Sequence, residues 1–218
     1  MGVSMKYRFI GWGLWILAAS LPLAASAIDK GRPITERGPT NYYSNDPLRY
    51  QVESYHIGPG LRKMNAGLYK AARKDFEFVL NHYPNHPRAL ALMGELAIRM
   101  KKPEMAVPYF EHAIEMYPDT ATTYAAYGVF LHKTGKLAAA IRNYRKSLAL
   151  NPGLIESRYN LALAYFAMGD YVQANREAQK VYAEGYPLPG LRNKLRKVHA
   201  WKPLAKARQA DHGGPNKD

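Results

Sequence analysis

The stretch HYPNH, residues 82–86, has two counterparts downstream, MYPD at 116–119 and LNPG at 150–153, and their prolines Pro84, Pro118 and Pro152 lie 34 residues apart. Proline cannot continue a helix, and it drives the residue before it into an extended conformation. A stop repeated at one interval of roughly 20 to 50 residues marks stacked supersecondary units rather than a single layered domain. Setting these prolines at position 32 starts units at Glu53, Pro87, Ala121 and Ile155, and further columns then align. Position 8 reads Gly60, Gly94, Gly128, Ala162, and position 20 reads Ala72, Ala106, Ala140, Ala174. Position 24 reads Phe76, Phe110, Tyr144, Ala178, and position 15 reads Gly67, Lys101, Gly135, Gly169. Small residues at two of these columns let antiparallel helices approach closely, and the aromatic fills the space beside them. The glycine column supplies the left-handed residue that ends a first helix.

The pattern resembles the tetratricopeptide repeat family, best in RYNLALAYFAMGDYVQANREAQK (158–180) and in YAAYGVFLHKTGKLAAAIRNYRKSLALNP (124–152). The resemblance implies an all-α fold, a right-handed superhelical stack of antiparallel helix pairs. The repeat domain is expected over 59–188, with a degenerate unit at 53–86 and fuller units at 87–120, 121–154 and 155–188. Three residues depart from the family pattern. Pro59 stands where a core apolar residue belongs, which predicts a short first helix starting near it. Lys101 replaces the turn glycine, and Arg158 takes a position usually held by a large apolar side chain. Leu191, Leu195 and Val198 fall at helical spacing among basic residues, which predicts a capping helix over 189–201, since open-ended stacks need a polar outer face. Residues 28–58 are rich in turn formers without a sustained period and read as linker, and 202–218 read as a polar tail.

The first 27 residues place Lys6 and Arg8 before an apolar run from Ile10 to Leu21, then Pro22 and Ala25-Ser26-Ala27. That order is a secretory signal peptide cleaved after Ala27. An uncleaved anchor would need about 20 apolar residues, and Pro22 interrupts the run after about twelve. Lys6 stands where a myristoylation signal requires Ser or Thr. The chain has no cysteine, which removes disulfides, thiolate metal sites and a lipid-bearing cysteine. Together these point to a periplasmic protein. The charge is uneven: residues 188–218 hold eight basic and two acidic side chains, against 17 and 11 over 59–187. Such a balance suits an anionic lipid, an anionic envelope polymer or an acidic protein, while export argues against nucleic acid.

Catalytic chemistry is hard to place on this chain. No H-E-x-x-H, G-x-S-x-G, P-loop or dinucleotide fingerprint occurs. His82 and His86 are separated by Pro84 and share no helix face; they read as polar loop residues rather than metal ligands. Gly58-Pro59-Gly60 reads as a helix start, and Glu111 with Glu115 as a solvated face. The reading is a protein that is not an enzyme and carries no metal or cofactor.

What the resemblance implies instead is a binding groove lined by the first helices. Carried over unit by unit, its residues are Arg88, Glu95, Ile98 and Arg99 in the second unit, Val129, His132 and Lys133 in the third, and Tyr159, Leu163 and Phe166 in the fourth. Either this groove is open, or the cap helix or residues 28–58 cover its apolar end. The side chains by which family members clamp a chaperone's C-terminal carboxylate are absent at Ala91, Glu95, Ala126 and Glu156. The expected function is a non-catalytic periplasmic adaptor or scaffold that holds another cell-envelope protein. The alternative is a module for an anionic envelope polymer or lipid, held by Arg192, Lys194, Arg196 and Lys197.

Overall fold

Helix α1 runs from Arg49 to Asn65 and α2 from Tyr69 to His82, and this antiparallel pair begins a stack that the computed structural model describes over residues 37–202. The pairs that follow are α3 (Pro87–Arg99) with α4 (Val107–Met116), α5 (Ala121–Lys133) with α6 (Leu137–Leu150), and α7 (Ile155–Ala167) with α8 (Tyr171–Ala183). A short helix, α9 (Gly190–Lys197), packs on α7 and α8. Between α3 and α4 a single turn of 3-10 helix spans Pro103–Ala106. Among the described residues there is no strand, and no helix is long and apolar enough to cross a membrane. The predicted signal peptide lies outside the described residues, as does the polar tail beyond Lys202.

The periodic columns are the interior of the stack. Ala72, Ala106, Ala140 and Ala174 are buried, as are Phe76, Phe110, Tyr144 and Ala178, and so are Gly60, Gly94, Gly128 and Ala162. Contact is closest where glycine meets the aromatic of its own unit: a Cβ on Gly128 would lie 2.6 Å from Tyr144 Cε1, and one on Gly60 2.6 Å from Phe76 Cε1. In the last unit Ala178 stands in the aromatic column. The cluster there is completed by Leu191 and Leu195 of α9, which fills what the smaller side chain leaves.

The turn column keeps its backbone conformation even where the residue type changes. Gly67, Gly135 and Gly169 have φ of 76°, 77° and 80°, and Lys101 adopts 56° at the equivalent place. A lysine held there costs about 1–2 kcal/mol of backbone strain. Pro103 and the 3-10 turn follow it directly.

Two boundaries differ from expectation. The first helix does not start near Pro59; it begins ten residues earlier, at Arg49, so the predicted linker 28–58 is helical over its last ten residues and Gly58-Pro59-Gly60 lies inside a helix. The reason is burial. Val52 and Ile57, upstream of the proline, are both in the core, and each contributes about 1.5–3 kcal/mol, enough together to offset the roughly 3 kcal/mol of an interior proline. Asp46 Oδ1 accepts from Leu48 N and the Asp46 carbonyl from Arg49 N, fixing the start. At the other end α9 stops at Lys197, and Val198 is exposed rather than part of the apolar stripe.

Residues 37–48 have no regular structure but are fastened along the turn that ends the first unit. Thr40 N donates to the His82 carbonyl at 2.8 Å, and Tyr42 N donates to Asn85 Oδ1 at 2.8 Å. Asn85 Nδ2 donates to Asn41 Oδ1 at 2.9 Å, and the Tyr83 hydroxyl donates to Asp46 Oδ2 at 2.6 Å. HYPNH is therefore more than a stop: Tyr83, Pro84, Asn85 and His86 are all buried, whereas Pro118 and Pro152 at the later turns are exposed.

Candidate functional site

Asn65, Arg99 and Lys133 stand at position 13 of three successive units and Glu95 at position 9, and a chain of polar contacts joins these four side chains. Arg99 Nη1 of α3 donates to Asn65 Oδ1 of α1 at 3.1 Å, and Arg99 Nε donates to Glu95 Oε1 at 3.1 Å. Lys133 Nζ of α5 donates to the other oxygen of Glu95 at 2.9 Å. Three successive first helices are thus linked across one surface. The hydrogen bonds from Lys133 and Arg99 hold the Glu95 carboxyl below its usual range. One carboxylate faces two cations, so this strip keeps a positive surplus, and the Lys133 side chain is still 56% exposed.

Around the polar chain, Ile98 and Val129 are half-buried against the main core, Arg88 is exposed, and His132 is half-buried with its pKa lowered by burial. At the upper end of the strip, a cavity of about 400 Å³ between α1 and α3 is lined by Tyr42, Glu53, Ser54, Ile57, Gly58, His86, Pro87 and Arg88.

The fourth unit is arranged differently. Tyr159, Leu163 and Phe166 pack against the cluster that Leu191 and Leu195 of α9 complete, Tyr159 also meets the Tyr186 ring, and Lys194 Nζ lies 5.8 Å from the Phe166 ring centre. The structure places α9 beside these side chains, which remain half-buried as Ile98 and Val129 are, while the polar strip lies over units two and three. The Tyr42–Tyr43 segment borders it at the helix N-termini, with the Tyr43 hydroxyl 2.6 Å from Thr122 Oγ1.

The four basic residues of α9 divide in two. Arg192 is half-buried with its guanidinium 4.1 Å from the Tyr182 ring and 5.3 Å from that of Trp201, so it serves the cap's own packing. Lys194, Arg196 and Lys197 are exposed.

His86 is what sequence reasoning missed. It is not a polar loop residue: its Nδ1 accepts from Ala89 N at 3.2 Å and caps α3, its Nε2 faces Glu53 Oε1 at 3.2 Å, and the Tyr42 ring lies over it at 4.4 Å. The capping role needs a neutral ring. Burial lowers the His86 pKa, with Glu53 opposing less strongly. The unfolded chain therefore binds this proton more readily than the folded one, and the contribution to stability, full above the ordinary histidine pKa of about 6.5, is lost as pH falls below it. Thermal melts between pH 8 and pH 5 should show less pH dependence for His86→Asn, which keeps a capping acceptor that does not titrate, while His86→Ala should cost about 1 kcal/mol at pH 8 and less at pH 5, where the native histidine has lost its own contribution. The only sequence signal was an Asn-His pair where the later turns have Asp119-Thr120 and Gly153-Leu154.

Among the described residues no group of three or more His, Asp or Glu side chains could hold a metal ion.

Helix pairs stacked on a 34-residue period, with small residues at the crossings and a polar inner strip, define a helical-repeat solenoid. The tetratricopeptide repeat models match residues 87–120 and 156–188, and a TPR repeat model matches 130–169. The chain belongs to the tetratricopeptide repeat family. Among solved structures it is similar to the MamA protein, with a TM-score of 0.51 at 19% identity over 69% of this chain and 85% of that one. It is also similar to PilF of Pseudomonas aeruginosa, with a TM-score of 0.55 at 20% identity over 69% and 71% of the two chains. Likeness at these identities concerns the fold alone. A stretch of 65 residues is 34% identical to a peroxisomal targeting signal receptor of Kluyveromyces lactis, covering 30% of this chain and only 12% of the receptor's length. The repeat fold is that of a protein–protein interaction scaffold, and members of the family are typically non-catalytic.

Proposed function

We propose that this protein is an exported, periplasmic adaptor that holds an extended acidic segment of another cell-envelope protein in the trough of units two and three. The observation that carries the reading is the Asn65–Arg99–Glu95–Lys133 chain, which joins three helices on one surface and leaves it one positive charge in excess. A carboxylate on the partner would compete with Glu95 for Lys133 and Arg99, while Val129 and Ile98 give apolar side chains a place beside it. The charge, hydrophobic run and A-x-A order of residues 1–27 support export.

Fluorescence polarisation with labelled acidic and neutral decapeptides tests the trough. Arg99→Glu with Lys133→Glu should weaken acidic-peptide binding by about tenfold or more, since two charge-assisted contacts become repulsive. Unchanged binding would remove the trough from consideration. Cell fractionation, with mass determination of the N-terminus, tests export: a mature chain starting at Ile28 in the periplasmic fraction is expected, and an intact chain in the cytoplasm would refute it.

A further inference from the structure

On the second helices of units two and three the charges are segregated by unit: α4, its one histidine aside, has only acidic charged side chains and α6 only basic ones. On α4, Glu111 and Glu115 are exposed, one turn apart. On α6, Arg142, Arg145 and Lys146 are exposed along one stripe. Residues 121–154 contain five basic side chains and no acidic one, and of the five only Lys133, on the inner side, is in an ion pair among the described residues. Neither stripe finds its countercharge within the molecule: Glu111, Glu115, Arg142, Arg145 and Lys146 enter no ion pair among the described residues, although Lys146 rests over the Tyr124 ring at 5.7 Å.

From this complementarity we propose that the exposed faces of α4 and α6 form a self-complementary interface that pairs with a second copy of this chain. The 34-residue period sets the register: Glu111 and Arg145 hold the same position in their units, with Arg142 one turn before it and Glu115 one turn after. A two-fold axis running between α4 and α6 and parallel to them lays α4 of each copy along α6 of the other, in the same direction. Glu111 then meets Arg142 and Arg145 of the other copy, and Glu115 meets Lys146. Exposed Ala138 and Ala149 on α6 leave room for the approach. Such an isologous contact satisfies both stripes twice and closes on itself. A polyanion or an anionic membrane fits this face less well, because it would set Glu111 and Glu115 against negative charge one unit away from the stripe that attracts it.

The test is a charge swap read by sedimentation velocity on the purified protein, at about 50 mM and about 500 mM NaCl, where the screening length falls from roughly 14 Å to roughly 4 Å. The native chain should sediment as a dimer at low salt and as a monomer at high salt. Arg142→Glu with Arg145→Glu, and separately Glu111→Lys with Glu115→Lys, should each remain monomeric at low salt. An equimolar mixture of the two variants should regain the dimer, because each then presents one sign to the other. All four positions are exposed, and circular dichroism melts serve to confirm that both variants are folded. A native chain that is monomeric at low salt, a single-stripe variant that still dimerises, or a mixture that stays monomeric overturns the proposal. Heparin binding that depends on Arg142 and Arg145 without any dimer would assign the face to a polyanion instead.

Discussion

Gly128→Leu lowers the thermal midpoint by an amount corresponding to at least about 1–3 kcal/mol, the usual range for overpacking a filled core. The site has no slack. A single added carbon would already lie 2.6 Å and 2.7 Å from two ring carbons of Tyr144, and that ring is buried. Tyr144 cannot swing away without opening the contact between α5 and α6 that the glycine exists to permit, so either the ring leaves its position or the helices separate. Gly94 provides the graded comparison: its added Cβ would meet Phe130 at 3.1 Å, and Gly94→Ala should cost clearly less than Gly128→Ala. Lys133→Ala, at an exposed ion pair, should change the melt by no more than about 1 kcal/mol. An unshifted melt for Gly128→Leu would contradict the packing of the third unit.

Glu177→Leu is expected to cost about 3 kcal/mol by urea denaturation, because it strands a cation. Arg158, in the position where the family usually has a large apolar residue, donates to Glu177 Oε2 at 3.1 Å, and the two side chains are only 16% and 11% exposed. Lys180 Nζ reaches the other carboxylate oxygen at 2.8 Å. Removing one partner of a buried pair leaves a desolvated charge, and the Pro152 carbonyl that accepts from Arg158 Nη2 compensates only in part. The informative companion is the double variant Arg158→Leu with Glu177→Leu, which should recover most or all of the loss, since an apolar pair of similar volume is often neutral or stabilising. The second unit holds Leu90 and Tyr109 at the same two positions, whereas the first has His56 and Asp75, 3.4 Å apart. A double variant less stable than Glu177→Leu alone would show that the charges do more than replace a hydrophobic contact.

How far the sequence carried the reading depends on whether a contact recurs. Gly128 and Tyr144 were legible because the same small-to-aromatic relation appears at Gly60 with Phe76, so one glance at the column explains both. Lys101 was legible as a departure from the glycine column, and the structure shows that it keeps that column's left-handed backbone. Arg158 was visible as a departure, but its partner Glu177 was not, because only the fold brings position 23 of the unit against position 4. At the candidate site, Arg99, Glu95 and Lys133 were placed on one surface by their positions in the unit, and the structure joins them directly. Tyr159, Leu163 and Phe166 carried the same positional signature but pack with the C-terminal cap.

By itself the sequence determined the number of helix pairs from residue 53 onward, their boundaries from Pro87 on, and the residues at their crossings, because each of these rests on short-range contacts repeated with one period. Only the tertiary structure decided what the two ends of the repeat stack pack against. The helix that runs through Pro59, the fastening of residues 37–48 on Tyr83, Asn85 and His86, and the seat of α9 on α7 and α8 each arise from long-range contacts that occur once in the chain. Burial and hydrogen bonds made once leave no period in the chain for a reader to find.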